Sequence, residues 1–289
     1  MEIKEATFDT GTVSLNYAEV PAAGAPLVLL HSSNTRWQAF WAILPDLAAH
    51  WHLYAPDFRG QGKSGRAPGS YRLQDYADDT IAFLRRHIHG PAYLFGHSLG
   101  GMVALMVAAQ YPEGVRAVAV GDAPLSIQTL QATLPQEQER IAAMRDLCGG
   151  QKPLDQLIEI MKESPLSVPG RSEPVPMRQV MGEDAPVFAW MATNLYQSDP
   201  DTFTAFSERF EATVAGYESD QVLPAIQCPV LLLQADPAAG GRMTDAEVAQ
   251  ALPVLAAPRH VRLAGVSHVL HNERPGPVVT ALKAFFQSC

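Results

Sequence analysis

Within Tyr93-Leu94-Phe95-Gly96-His97-Ser98-Leu99-Gly100-Gly101-Met102 a serine stands between two glycines in the pattern G-x-S-x-G. A serine hydroxyl attacks an acyl carbon usefully only when a base removes its proton and a sharp turn lifts it clear of the backbone. The apolar run before Gly96 reads as a strand and the one after Gly100 as a helix, which puts Ser98 at the apex between them. Glycines suit the flanks because a Cβ there would strike the neighbouring strand or helix. Five residues match this pattern by chance in many chains. The plain alternative for Ser98 is a cap on the helix that follows. The strand–turn–helix setting favours the nucleophile.

The elements that would carry this turn follow from the hydrophobic pattern. Ile3 to Phe8 and Thr12 to Val20 alternate about Thr10-Gly11 and predict an antiparallel hairpin. Leu27 to Leu30, Trp51 to Ala55, Tyr93 to Phe95 and Val115 to Val120 are short apolar runs, as expected of strands buried on both faces. Between them lie helical patterns: Trp37 to Leu47, the amphipathic Leu73 to Ile88, and Met102 to Ala109, which is apolar all round. Strands alternating with helices imply a parallel sheet covered on both faces. From Leu125 to about Ser219 the rhythm breaks. Helices are expected over Gln136 to Leu147, Leu154 to Lys162, Val187 to Tyr196 and Asp201 to Val214, with no convincing strand and with Pro165, Pro169, Pro174, Pro176 and Pro186 between. The rhythm resumes at Pro229 to Leu233, a helix near Asp245 to Leu252, a strand at His260 to Leu263 and a helix at Pro277 to Phe286. The expected organisation is a core of residues 1–122 and 220–289, with residues 123–219 inserted as a helical lid over the strand ends.

Composition narrows the function. The 289 residues are 47% hydrophobic and 18% charged, which suits one sizeable core. A formal net charge of −9 argues against nucleic acid or an anionic membrane as main partner. Cys148, Cys228 and Cys289 are odd in number and far apart, with neither metal spacing nor a disulfide framework, which fits a reducing, cytoplasmic setting. The opening Met1-Glu2-Ile3-Lys4-Glu5 lacks the pattern of a signal peptide, and no apolar run approaches the roughly 20 residues of a membrane span. Asp57-Phe58-Arg59-Gly60-Gln61-Gly62-Lys63-Ser64-Gly65 is rich in glycine but lacks the phosphate-loop ending on a helix, so local pairing of Asp57 with Arg59 is expected.

Four segments, in order, resemble the α/β-hydrolase superfamily over nearly the whole chain: Leu29-Leu30-His31-Ser32-Ser33, Asp57 to Ser64, Gly96 to Gly100, and Gly265-Val266-Ser267-His268 with Glu273-Arg274-Pro275. The resemblance implies an α/β fold with an eight-stranded, mostly parallel sheet and a helical cap after the sixth strand. It also implies hydrolysis through a Ser–His–acid triad, without cofactor or metal.

The same resemblance distributes the roles. Ser98 is the nucleophile; an aspartate there would be needed to open epoxides or displace halide. His268, one of nine histidines, falls in the loop Gly265 to Asn272 where the family keeps its base. Nearby His271 is expected to have a surface role, and His97 to be packed in the elbow. The family usually carries the acid as G-x-x-D past the seventh strand, but Ala235-Asp236-Pro237-Ala238 puts alanine at that position. Two candidates stay open: Asp236, two positions early, and Asp122, at the end of the sixth strand, where some relatives place their acid. A slight preference goes to Asp122. Each has a bland reading, Asp122 as a cap where the insertion begins and Asp236 as the start of a turn into Pro237. The oxyanion hole is expected from the N–H groups of Leu99 and Ser32. Ser33 or Asn34 could add a side-chain donor or cap the helix at Trp37.

The lid supplies Trp190, Met191, Leu195, Phe203, Phe206 and Phe210, most of them expected in its own core. Trp41, Met102 and Trp190 are the candidate substrate contacts. This mainly apolar set predicts an uncharged, moderately hydrophobic ester or lactone. The rival readings are a C–C bond hydrolase of a ring-fission product, a cofactor-free haloperoxidase, and a non-catalytic small-molecule receptor.

Overall fold

In the computed structural model, which describes residues 1–166 and 173–289, eight strands form one sheet. They are β1 (Lys4–Asp9), β2 (Ser14–Val20), β3 (Pro26–Leu30), β4 (His52–Pro56), β5 (Ala92–His97), β6 (Val115–Gly121), and, after the short ladder of β7 (Pro165–Leu166) and β8 (Val175–Pro176), β9 (Val230–Ala235) and β10 (Pro258–Leu263). The spatial order is β1-β2-β4-β3-β5-β6-β9-β10. Both pairings of β2 are antiparallel and every other pairing in this sheet is parallel.

Alternation along the buried strands sorts the core into two layers, because successive side chains point to opposite faces. Val28, Leu30, Leu94, Val118, Val120 and Leu232 pack with the helices Leu73–Phe83 and Leu99–Gln110. Leu27, Leu29, Phe95, Ala119, Leu231 and Leu233 face the other way, onto Trp37, Phe40, Leu44, Leu47 and the helix Pro275–Phe286. The helix Leu99–Gln110 is buried nearly throughout, as its uniformly apolar sequence requires.

The segment between β6 and β9 is mainly helical: Ile127–Arg145, Leu154–Glu163, Met177–Met181, Pro186–Gln197, Asp201–Glu208 and Phe210–Val214, with Ser219–Ala225 leading back to the sheet. Cys148, Leu157, Met161, Phe188, Ala192 and Leu195 form a small core of its own.

The sequence expectation needs four corrections here. The first lid helix begins at Ile127 rather than Gln136. Ile127, Leu130 and Leu134 recur at helical spacing, but Pro135, which reads as a breaker, lies inside the helix and hides the turns before it. The pattern over Leu73 to Ile88 is helical to Phe83 and then widens into a turn in which His89 N–H donates to Leu84 O at 3.1 Å. Trp37 to Leu47 is a single tight turn followed by the short helix Leu44–Ala48. The lid also contains a strand ladder, β7 with β8, and the unexpected helix Met177–Met181. Pro169, read as a breaker, lies outside the described residues.

Candidate active site

The chain leaves β5 through Ser98, whose φ of 54° and ψ of −118° are strained for a residue bearing a Cβ. The turn is held from both sides. Ser98 N–H donates to Gly121 O at 3.0 Å, and Ser98 O accepts from Gly101 N–H at 2.8 Å and Met102 N–H at 3.1 Å. A Cβ on Gly96 would run into the carbonyl of Gly100, and one on Gly100 into the carbonyl of Leu30. Elbow, helix and β3 therefore meet at a distance only glycine permits.

Asp122 follows β6 with a φ of 44° and no exposed surface. Its Oδ1 accepts from Ala235 N–H at 3.1 Å and Met243 N–H at 3.2 Å, and its Oδ2 from Arg242 N–H at 2.7 Å. Oδ2 also lies 2.7 Å from Nδ1 of His268. A carboxylate ringed by N–H donors is an acceptor, so His268 Nδ1–H donates, and Nε2 of the neutral ring is left as the acceptor. His268 and Ser98 line the same cavity, of about 350 Å³. No direct hydrogen bond joins them among the described residues; such contacts commonly tighten only once substrate is in place.

Asp236 is occupied elsewhere. Its carboxylate accepts from Gly265 N–H at 2.8 Å, Arg262 at 3.0 Å and Ala238 N–H at 3.1 Å. The Gly265 N–H, then Arg262, hold its carboxyl below the usual carboxylate range. It closes the turn into Pro237, as its bland reading had it. Of the two candidate acids, the imidazole meets Asp122.

Three further histidines lie buried around this contact. His97 Nε2 donates to the backbone carbonyl of His268 at 2.8 Å, and burial holds its pKa well below the ordinary histidine value. His31 Nδ1 donates to Ser32 O at 2.7 Å while its Nε2 accepts from Phe58 N–H at 2.9 Å; burial lowers its pKa to about 4. His31 thus fixes the loop that presents Ser32. His271 is not at the surface: it is 1% exposed, its ring 4.7 Å from that of His97, and burial lowers it to about 4. The short helix Leu270–Glu273 turns it inward beside Phe40, against the expected surface role.

Ser32 and Leu99 both line the cavity, and neither N–H has another protein partner among the described residues. Ser33 and Asn34 line it too, Asn34 accepting from Ser198 Oγ at 3.0 Å. Neither caps the turn at Trp37, whose N–H goes to Asp57 Oδ1 at 2.8 Å. The expected Asp57–Arg59 pair is absent among the described residues. Asp57 instead accepts from Asn16, Trp37 and Lys63, and Arg59 forms a buried fork on Asp79 at 2.6 and 2.7 Å.

Of the candidate substrate contacts, Met102 lines the cavity. Trp41 does not: its ring lies tilted beside that of Trp37, 5.9 Å away, and the residue is 58% exposed. Trp190 is half-buried in the lid and does not line it either. Phe203, Phe206 and Phe210 do, whereas Leu195 belongs to the lid core. Leu130, Leu134, Ile141 and Met144 of the first lid helix complete the apolar wall. Leu130 and Leu134 were missed because the helix start was missed; Ile141 and Met144 lie within the expected helix, whose packing against the cavity only the fold shows.

Sequence reading also missed an ionic group in that wall. Glu137 accepts from Arg242 at 2.8 Å and from Arg140 Nε at 2.7 Å, and all three residues line the cavity. Burial opposes ionisation of Glu137, but Arg242 and Arg140 more than reverse it and hold its carboxyl below the usual range. Glu137 and Arg140 are one turn apart on the helix, but Arg242 is 105 residues from Glu137, and nothing local in the sequence signals that it joins them.

The parallel sheet, the elbow after β5 and the insertion after β6 define a hydrolase architecture. The family profile of the α/β hydrolase fold matches residues 25–271, and the chain belongs to that family. It is 33% identical over 121 residues to a 2-(acetamidomethylene)succinate hydrolase of Mesorhizobium japonicum, covering 42% of this chain and 43% of that one. It is 36% identical over 109 residues to a 2-hydroxymuconate semialdehyde hydrolase of a Pseudomonas species, covering 36% and 38%. The matched stretch thus spans about two fifths of these curated relatives. In fold it is similar to a hydrolase from Pseudomonas aeruginosa, with a TM-score of 0.74, 21% identity and 98% of each chain covered.

Proposed function

We propose that this hydrolase cleaves a carboxylic ester or lactone through an acyl-enzyme on Ser98. The observation that carries this reading is the 2.7 Å contact between His268 Nδ1 and Asp122 Oδ2, beside a serine on a strained turn in the same cavity. In the proposed reaction His268 Nε2 takes the Ser98 proton as Oγ attacks the acyl carbon. The N–H groups of Leu99 and Ser32 stabilise the oxyanion, and the imidazolium returns the proton to the leaving alcohol. Water, deprotonated by the same ring, then releases the acid. Asp122 holds the ring in the required tautomer and offsets its charge. Residues 1–122 and 220–289 serve as the catalytic core and residues 123–219 as the lid that shapes the acyl pocket. The three free cysteines support a cytoplasmic setting, and no helix among the described residues is long and apolar enough to cross a membrane.

The test is a panel of p-nitrophenyl esters of increasing acyl length together with aliphatic lactones. Turnover of members of the panel, abolished in Ser98→Ala, is expected. A panel left untouched by the wild-type protein would overturn the reading. A second reading, C–C bond hydrolysis of a ring-fission product, is favoured by the arginines in the cavity wall and by the semialdehyde hydrolase relative. Turnover of a vinylogous diketone acid without turnover of any ester would select it.

A further inference from the structure

The cavity holding Ser98 is apolar along Leu130, Leu134, Ile141 and Phe206, yet among the described residues it contains two guanidinium groups and a single carboxylate. Glu137 and Arg140 come from the first lid helix, Ile127–Arg145, and Arg242 from the loop after β9. The side chain of Arg242 is 36% exposed and that of Arg140 61%, so each keeps donors free beyond those spent on Glu137. Two positive groups sharing one negative group leave the cluster with an uncompensated positive charge. Arg242 is also tied to the candidate acid: its backbone N–H donates to Asp122 Oδ2 at 2.7 Å, the oxygen that meets His268. A group bound by Arg242 is thereby held in register with the imidazole.

We propose that Arg242 and Arg140 form a carboxylate-reading end of the cavity, so that the substrate is an ester or lactone carrying a second, free carboxylate on its acyl part. This rests on the serine-hydrolase reading and replaces the uncharged substrate expected from sequence. Guanidinium donors match a carboxylate in a paired geometry. Glu137 occupies that fork from within the protein, holds the two arginines apart in position, and yields part of their donor capacity when the substrate carboxylate arrives. An ion pair that merely latched lid to core would make Glu137 and its arginines interchangeable in effect. A recognition site makes them opposite.

The experiment compares mono-p-nitrophenyl glutarate with p-nitrophenyl pentanoate, a neutral ester of similar length. The readout is the ratio of their kcat/KM values. Arg242→Gln and Arg140→Gln should each lower that ratio by roughly tenfold or more, the scale of a lost charge-assisted hydrogen bond. Glu137→Gln should raise it, chiefly through a lower KM for the glutarate ester. Ratios that all fall together, or that do not move, would overturn the proposal. Arg140 is the more exposed arginine, so Arg140→Gln keeps the test open if Arg242→Gln fails to fold. Calorimetric binding of glutarate to Ser98→Ala protein, with the same three substitutions added, separates the two readings. The same opposed pattern in binding without any ester turnover would overturn the serine-hydrolase reading alone. Ester turnover without the pattern would overturn the carboxylate site alone.

Discussion

Nε2 of His97 donates to the main-chain carbonyl of His268 at 2.8 Å, so the residue before the candidate nucleophile holds the backbone of the candidate base. The elbow and the loop bearing His268, 171 residues apart in sequence, are joined by this side chain. Burial, first among its causes, lowers the His97 pKa well below the ordinary value, and the contact fixes its hydrogen on Nε2.

His97→Phe removes the donor and leaves the His268 carbonyl without it. The loop is then free to drift, and a displacement of about 1 Å at a reacting group can cost 10²-fold. The expected result is a fall in kcat of ten- to a hundredfold with KM little changed. His97→Gln, which keeps an N–H donor, should recover part of the loss. Equal kcat values in both variants and the wild type would show that the contact does not position the base. Thermal unfolding of each variant separates this effect from a general loss of stability.

Asp122 and Asp236 make opposite predictions. Asp122 touches His268 and is fully buried, so Asp122→Asn should lower kcat by roughly 10³–10⁴-fold through the wrong imidazole tautomer. Asp236 closes a turn and pairs with Arg262, so Asp236→Asn should change kcat by less than about tenfold. The reverse ranking in steady-state kinetics would return the acid to the loop after β9.

Acid should destabilise the fold before it affects exposed carboxylates. His31 and His271 have native pKa values lowered by burial to about 4, and His97 is lowered as well, whereas the unfolded chain takes up these protons near 6.5. Between those limits the unfolded state binds more protons, so stability rises with pH and is lost as pH falls from about 6.5 toward 4. Asp57 works the other way: burial raises it to about 6, so the native state holds its proton where the unfolded chain has released it. His87 and His260, also lowered, add to the histidines, and Asp79, raised by burial, adds to Asp57; the more numerous histidines set the net sign. Urea midpoints measured from pH 7.5 to 5 should fall steadily below about pH 6.5. A midpoint flat across this range would show that the histidines gain solvent or partners the fold does not display.

Much of the sheet was legible because burial on both faces writes itself as uninterrupted apolar runs. Leu27 to Leu30 and Val230 to Leu233 are nearly inaccessible, and both were readable from sequence. Ser98 was legible because glycines at positions 96 and 100 are demanded by backbone carbonyls that leave no room for a Cβ. The acid was not, because the position expected to carry it is Ala238 and only the folded chain decides which remaining aspartate faces the ring. The first lid helix was half-seen, since Pro135, which reads as a breaker, lies inside it. Trp41 was expected to line the site near the elbow, but it turns to solvent while Trp37 faces the core. Arg242 joins Glu137 and Arg140 only when the lid helix is laid against the loop after β9, which no local pattern in the sequence signals.

The central claim is that Ser98 is a nucleophile activated by His268. Treatment of the wild-type protein with a fluorophosphonate, followed by peptide mass spectrometry, tests it most directly. The account predicts a single stoichiometric adduct on the peptide containing Ser98, with labelling slowed by several orders of magnitude in His268→Ala and absent in Ser98→Ala. An adduct on another residue, or labelling of Ser98 at the same rate without His268, would contradict it.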